Sequence, residues 1–175
     1  MKRVLLSLLV AFGLLGSALA QQPGSTLVVG MAILPNTIDS GDANDSNAIA
    51  VTRQIVERLV ELAPGNEGLV PGLATSWEAN ADSTEWTFHL REGVKFHDGT
   101  PFDAQAVKFS LDRWNDPANP YHFGAEGKAY VGWRNLFGGF LGDGSAVSEV
   151  VVDDEYTVTL KLTRSISFVP SLLAG

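Results

Sequence analysis

Apolar and polar positions change period several times along the chain. Residues 4–15 are apolar except for Ser7 and Gly13, a run shorter than the roughly 20 residues of a membrane span. Thr26 to Ile33 is a second, β-rich apolar run and predicts a buried strand that Pro35 ends. A polar loop follows from Asn36 to Asn47, carrying Asp39, Gly41, Asp42, Asn44 and Asp45. Asp45 or Ser46 can cap a helix in which Ile49, Thr52, Val56 and Leu59 recur at helical spacing, with Ile55 beside them. Arg53, Gln54, Glu57 and Arg58 are its polar positions, and Leu59 to Leu62 can already pass into a strand. Pro64-Gly65-Asn66 predicts a turn, Leu69 to Trp77 a short connector, and Asn80 to Ser83 another turn.

The clearest periodicity is of order two. Trp86, Phe88 and Leu90 alternate with Thr87, His89 and Arg91, which predicts a half-buried antiparallel strand over 85–91. Asp98-Gly99 is a turn dipeptide. The spacing then returns to helical over 104–114, with Asp103 as N-cap and Val107, Leu111 and Trp114 on one face. Asn115 to Pro120, with two prolines, ends that helix, and 121–144, rich in glycine and aromatics, reads as irregular. Ala146 to Leu162 predicts a hairpin: Val150-Val151-Val152 leads in, Asp153-Asp154-Glu155 turns, and Tyr156, Val158, Leu160 and Leu162 alternate outward. A helix-like apolar segment begins near Phe168 with no terminator or polar tail, so the chain is expected to be truncated.

The first apolar run gains a meaning from its flanks. Lys2-Arg3 precedes it, and Ala18-Leu19-Ala20 follows with the small-x-small pattern of a signal-peptidase site, leaving Gln21 as the first mature residue. A cleaved signal peptide over 1–20 predicts export to a periplasm. The sequence has no cysteine, which excludes a lipobox anchor, disulfides, thiol catalysis and cysteine-ligated zinc. The formal charge is −8; without Lys2 and Arg3, 10 basic residues stand against 20 acidic ones. Such a chain is a poor partner for nucleic acid or anionic membranes, which select basic patches.

Residues 69–114 carry a longer pattern. Pro71-Gly72-Leu73-Ala74 leads to Ser76-Trp77-Glu78; the strand with Trp86, Phe88 and Leu90 follows; then come Leu90-Arg91-Glu92-Gly93-Val94-Lys95-Phe96-His97-Asp98-Gly99-Thr100-Pro101 and Ala106-Val107. This ordered set resembles the signature region of the family 5 extracellular solute-binding proteins, the oligopeptide-, dipeptide- and nickel-binding receptors of ABC importers. The signal, the first strand, Pro35 to Asp39, the helix after Ile49 and the closing hairpin fall in the family's order. The resemblance implies an α/β fold: an incomplete N-terminal part of a two-lobed, type II-like periplasmic-binding-protein fold of the peptide-binding class. It places the start of lobe I at 21–114 and a truncated peripheral subdomain of that lobe at 115–175.

The implied function is capture of a peptide or related small solute and delivery to the membrane permease subunits, by a monomeric receptor without a cofactor. The resemblance places the loop Leu34, Pro35, Asn36, Thr37 and Asp39 near the ligand cleft, and Trp133 either lines that cleft or fills the core. Chemical alternatives find little support. Arg91, Glu92, Lys95, His97 and Asp98 crowd together, but alternation and the Asp98-Gly99 turn explain them structurally. His89, His97 and His122 match no compact metal motif, and Asp39, Asp42 and Asp45 lack calcium-loop spacing and fit a solvated loop with helix capping. No Gly-x-Ser-x-Gly elbow and no phosphate loop are present. The alternative readings are an exported enzyme or a chemoreceptor input module on the same fold, or a truncated product inactive alone.

Overall fold

The computed structural model describes residues 28–174. The expected signal peptide and its cleavage at Ala18, Ala20 and Gln21 lie outside the described residues, as do Thr26 and Leu27. No helix among the described residues is long and apolar enough to cross a membrane. The order of elements is α1 (Ser46–Thr52), β1 (Val60–Leu62), β2 (Leu69–Pro71), β3 (Ala74–Ala79), β4 (Glu85–Leu90), α2 (Ala104–Asn115), α3 (Val131–Phe137), β5 (Val147–Asp154), β6 (Thr157–Leu162) and α4 (Val169–Ala174).

Four strands form an antiparallel sheet in the order β3-β4-β6-β5, and β1 pairs with β2 in a small second sheet. β4 is a central strand. Trp86 lies opposite Leu160 and Phe88 opposite Val158, so the large apolar residues of β4 and β6 share one face. Phe88, Val158 and Leu160 are fully buried there, with Val150 of β5 beside them. The other face is polar, with Thr87 and Thr159 sharing a 2.8 Å hydroxyl–hydroxyl hydrogen bond. This is the alternation the sequence predicts for β4. In the closing hairpin the prediction is reversed: Val158, Leu160 and Leu162 face inward, because β6 lies between β4 and β5 and needs its apolar side for the core.

Helix α2 covers the apolar face beside β5 and β6. The Asp103 carboxylate accepts from the Ala106 amide at 2.8 Å, capping its first turn. Its end comes at Asp116, held extended ahead of Pro117. Val107 and Leu111 are buried, and Lys108 reaches the Val150 carbonyl of β5 at 2.7 Å. The Trp86 indole donates to the Ile166 carbonyl at 2.9 Å, tying the segment after β6 back to β4.

Several expectations are corrected. Residues 28–33 form no strand; Val28, Val29 and Ile33 are strongly exposed, since no strand among the described residues pairs with this run. Helix α1 stops at Thr52, whose hydroxyl donates to the Ile49 carbonyl, and Ile55 and Val56 are exposed rather than on a buried helical face. The stretch expected as a connector holds β2 and the start of β3. The segment read as irregular contains α3, which ends at Gly138 with φ 90°, a left-handed position that suits glycine.

The central position of β4 has a measurable consequence. Phe88→Ala should lower the unfolding free energy by about 3–5 kcal/mol in urea titrations. His89→Ala, on the exposed side of the same strand, should change it by less than about 0.5 kcal/mol. Equal effects would contradict this assignment of faces.

Candidate functional site

The loop between residues 33 and 45 leaves its first part in solvent and pins its second. Leu34 is 82% exposed, Asn36 is exposed, and Pro35 and Thr37 are half-buried. Asn36 donates from its amide to Asn44 Oδ1 at 3.0 Å, bridging the two ends of the loop. Thr37 Oγ1 accepts from the Asp39 amide at 3.0 Å and from Lys128 Nζ at 3.3 Å. Asp39 is not free. Its carboxylate takes two hydrogen bonds from the Arg113 guanidinium, Nη2 to Oδ1 at 2.7 Å and Nη1 to Oδ2 at 2.8 Å. This fork-to-fork geometry is the strongest form of an arginine–carboxylate pair.

Arg113 is itself held from three sides. Nη1 also reaches the Tyr130 hydroxyl at 3.2 Å, and the guanidinium carbon lies 5.6 Å from the centre of the Tyr130 ring. The Arg113 carbonyl accepts from His122 Nδ1 at 2.8 Å, which fixes that nitrogen as the protonated one. His122 in turn lies between Tyr130 and Phe140, with ring centres 4.5 and 5.0 Å away. Tyr130 adopts φ 42°, a left-handed conformation uncommon for a bulky residue, and is fully buried.

The remainder of the loop abuts α3. The Trp133 amide donates to the Gly41 carbonyl at 2.8 Å, and the Val131 amide to Asp42 Oδ1 at 3.3 Å. A Cβ at Gly41 would lie 2.4 Å from the Trp114 ring, so only glycine lets the loop pass that close. Of the three aspartates expected in a solvated, capping loop, Asp45 does cap α1, through the Asn47 and Ala48 amides. Asp39 and Asp42 instead connect the loop to α2 and α3.

Trp133 is 2% exposed and belongs to the core, its indole donating to Asn115 Oδ1 at 3.3 Å. It borders an apolar groove of about 460 Å³ whose walls include Ile49, Leu59, Leu111, Trp114 and Leu172. Leu34 to Thr37 do not line that groove. The structure thus joins Asp39 and Thr37 to one polar cluster, while Trp133 meets the loop through its backbone amide on the Gly41 carbonyl and buries its ring in the core. Arg113, Lys128 and Tyr130 went unnoticed in the sequence; an arginine in the last turn of a helix carries no sign of a partner far away in the chain. Among the described residues no three His, Asp or Glu side chains gather as a metal site.

Burial acts to raise the Asp39 pKa, but the Arg113 hydrogen bonds and charge, with Lys128, outweigh it and hold the group below its ordinary value of 3.8. Burial likewise opposes the Arg113 charge, and Asp39 overcomes it, raising the Arg113 pKa. A depressed carboxylate pKa contributes stability that is complete above the unfolded value and disappears as pH falls through the folded one. The two side chains are only 14% and 18% exposed, so Asp39→Asn should cost roughly 2–3 kcal/mol at pH 7, between surface and fully buried pairs. In urea melts the gap between wild type and variant should be constant above about pH 5 and close progressively below pH 3.8. A gap independent of pH would mean that the pair does not stabilise the fold through charge.

The comparisons with known proteins agree with this fold. The profile described as bacterial extracellular solute-binding proteins, family 5 Middle, matches residues 68–175. The dipeptide-binding protein of Escherichia coli (strain K12) is 38% identical over 136 residues, covering 74% of this chain and 24% of that protein. HbpA2 from Haemophilus parasuis superposes with a TM-score of 0.68 at 30% identity, over 82% of this chain and 29% of its own. A dipeptide-binding protein from Pseudoalteromonas sp. SM9913, in complex with Met-Leu, gives a TM-score of 0.67 at 25% identity, over 80% of this chain and 28% of its own. The chain spans about a quarter of the length of the curated relatives it matches, and its mixed α/β architecture corresponds to part of their periplasmic-binding-protein fold. The chain belongs to the bacterial extracellular solute-binding proteins of family 5, a family of binding proteins rather than enzymes.

Proposed function

We propose that these residues form the opening part of an exported receptor that captures a peptide, or a related small solute, and delivers it to the membrane permease of an ABC importer. The observation that carries this reading is the family match over 68–175, within a unit whose exposed Leu34–Thr37 loop is tethered at Asp39. The signal-peptide pattern of residues 1–20 supports export and cleavage at Gln21. Relatives about three times as long have room for a second lobe. Hinge closure of two lobes would exclude water around the solute, and extended peptides are held chiefly by main-chain hydrogen bonds. Leu34, Pro35, Asn36 and Thr37 are the residues assigned to ligand contact. Asp39, with its carboxylate committed to Arg113, and Trp133, packed in the core, support the site from behind. ATP hydrolysis belongs to other subunits, and no side chain of this chain has to perform chemistry.

The surface supports the same reading. Ile33 and Ile38 are 70% and 66% exposed, the apolar groove stands open, and the Trp114 indole N–H in its wall is buried without an acceptor among the described residues. Further chain of the receptor would cover these features. Calorimetric titration of the protein recovered from cells with a dipeptide panel that includes Met-Leu should give one site per molecule. The expected Kd is micromolar or tighter, about −8 kcal/mol or better. Residues 21–175 expressed alone should melt with low cooperativity and bind the same peptides far more weakly. Absence of heat with every peptide, together with turnover abolished by one point substitution, would favour the exported-enzyme alternative.

A further inference from the structure

The Leu34–Thr37 segment belongs to no helix or strand, Leu34 and Asn36 are exposed, and no strand among the described residues pairs with the preceding residues 28–33. A loop that gives main-chain groups to a ligand must nevertheless be ordered before binding, or the ordering entropy reduces affinity. The ties that order it lie just downstream. Thr37 Oγ1 accepts from the Asp39 amide, Asp39 Oδ1 accepts from the Gly41 amide at 3.3 Å, and the Asp39 carbonyl accepts from the Asp42 and Ala43 amides at 3.0 and 2.9 Å. Asp39 is the centre of this hook, and its carboxylate is clamped in turn by Arg113 at 2.7 and 2.8 Å. Lys128 holds the same hook from the other side, at 3.3 Å from Thr37 Oγ1 and 3.9 Å from Asp42 Oδ2.

We propose that Arg113 is a positioning residue for solute binding: through Asp39 it locks the 37–43 hook onto α2 and thereby presents Leu34–Thr37 to the ligand. This rests on the receptor reading above. Arg113 sits two residues before the end of a 12-residue helix packed on the sheet, so it refers the loop to the packed core. A lysine could supply the charge but not the two parallel hydrogen bonds.

The test compares four variants of the protein recovered from cells. Arg113→Gln and Arg113→Lys remove the fork, Lys128→Met removes only the lateral tie, and Val150→Ala weakens the core while keeping the Val150 carbonyl and every hydrogen bond of the hook. Amide hydrogen exchange is followed without ligand, and Met-Leu affinity by calorimetry well below every melting transition. In both Arg113 variants the amides of Asp39, Gly41, Asp42 and Ala43 should exchange at least about tenfold faster than in wild type, with β4 and β6 unchanged. Met-Leu Kd should rise by about tenfold or more, with lysine failing to rescue, and Lys128→Met should show a smaller shift of the same kind. Val150→Ala should lower stability yet leave loop exchange and Kd within about twofold. Unchanged loop exchange in a folded Arg113 variant would overturn the anchor, and faster loop exchange with unchanged Kd would overturn its role in binding. If Arg113→Gln fails to fold, the lysine and Lys128→Met variants decide by the same two readouts. Wild-type protein that ignores every peptide would overturn the receptor reading itself. That outcome is recognised separately, because the exchange comparison uses no ligand.

Discussion

Strand β4 gives its two edges to β3 and β6 and its Trp86–Phe88–Leu90 face to the core. With both edges paired, its polar backbone is satisfied, and its apolar face needs only a cover. Helix α2 covers the sheet at β5 and β6, and its Val107 and Leu111 join Phe88 in one buried cluster. The helix is held in register by Asp103 at its start, by Lys108 on the Val150 carbonyl, and by Asn115 on the Val147 carbonyl at 3.1 Å. Its last turn therefore has a fixed position, and Arg113 projects from that turn to seize Asp39. The order of causes runs from sheet to helix to ion pair to loop. Residues 28–34 have no such support among the described residues, and Val28, Val29, Ile33 and Leu34 are strongly exposed.

The features legible in the sequence are those set by near neighbours. Alternation over 85–90 reveals β4 because one strand alone decides which side chains share a face. Asp45 and Asp103 reveal two helix starts because a capping carboxylate meets amides two or three residues on. The Asp98-Gly99 turn is local as well, with Asp98 Oδ1 accepting from the Thr100 amide at 2.9 Å. What escaped depends on distant partners. The run 26–33 has the composition of a strand, yet a strand exists only where it pairs with another, and no strand among the described residues pairs with 28–33. Helix α3 was hidden among glycines and aromatics; the spacing of Trp133 and Phe137 and the terminating Gly138 were its local signs, while its start is fixed by the Asp42 side chain and the Gly41 carbonyl. The same limit concealed the site. Asp39 reads as one of several loop acids until Arg113 is seen across from it.

The division of labour in the loop follows from this geometry. The Asp39 carboxylate is spent on holding the chain to Arg113, and the exposed side chains just before it, Leu34 and Asn36, are apolar or a neutral amide. The family match gives the setting for this loop; the Asp39–Arg113 clamp ties a segment without secondary structure to α2.

The most direct measurement of the central claim is native mass spectrometry of the protein recovered from the periplasm. The account predicts a non-covalent adduct, released on collisional activation, whose fragments sequence as a short peptide or identify a related small solute. A bare protein that also gains no adduct after incubation with dipeptides would contradict it.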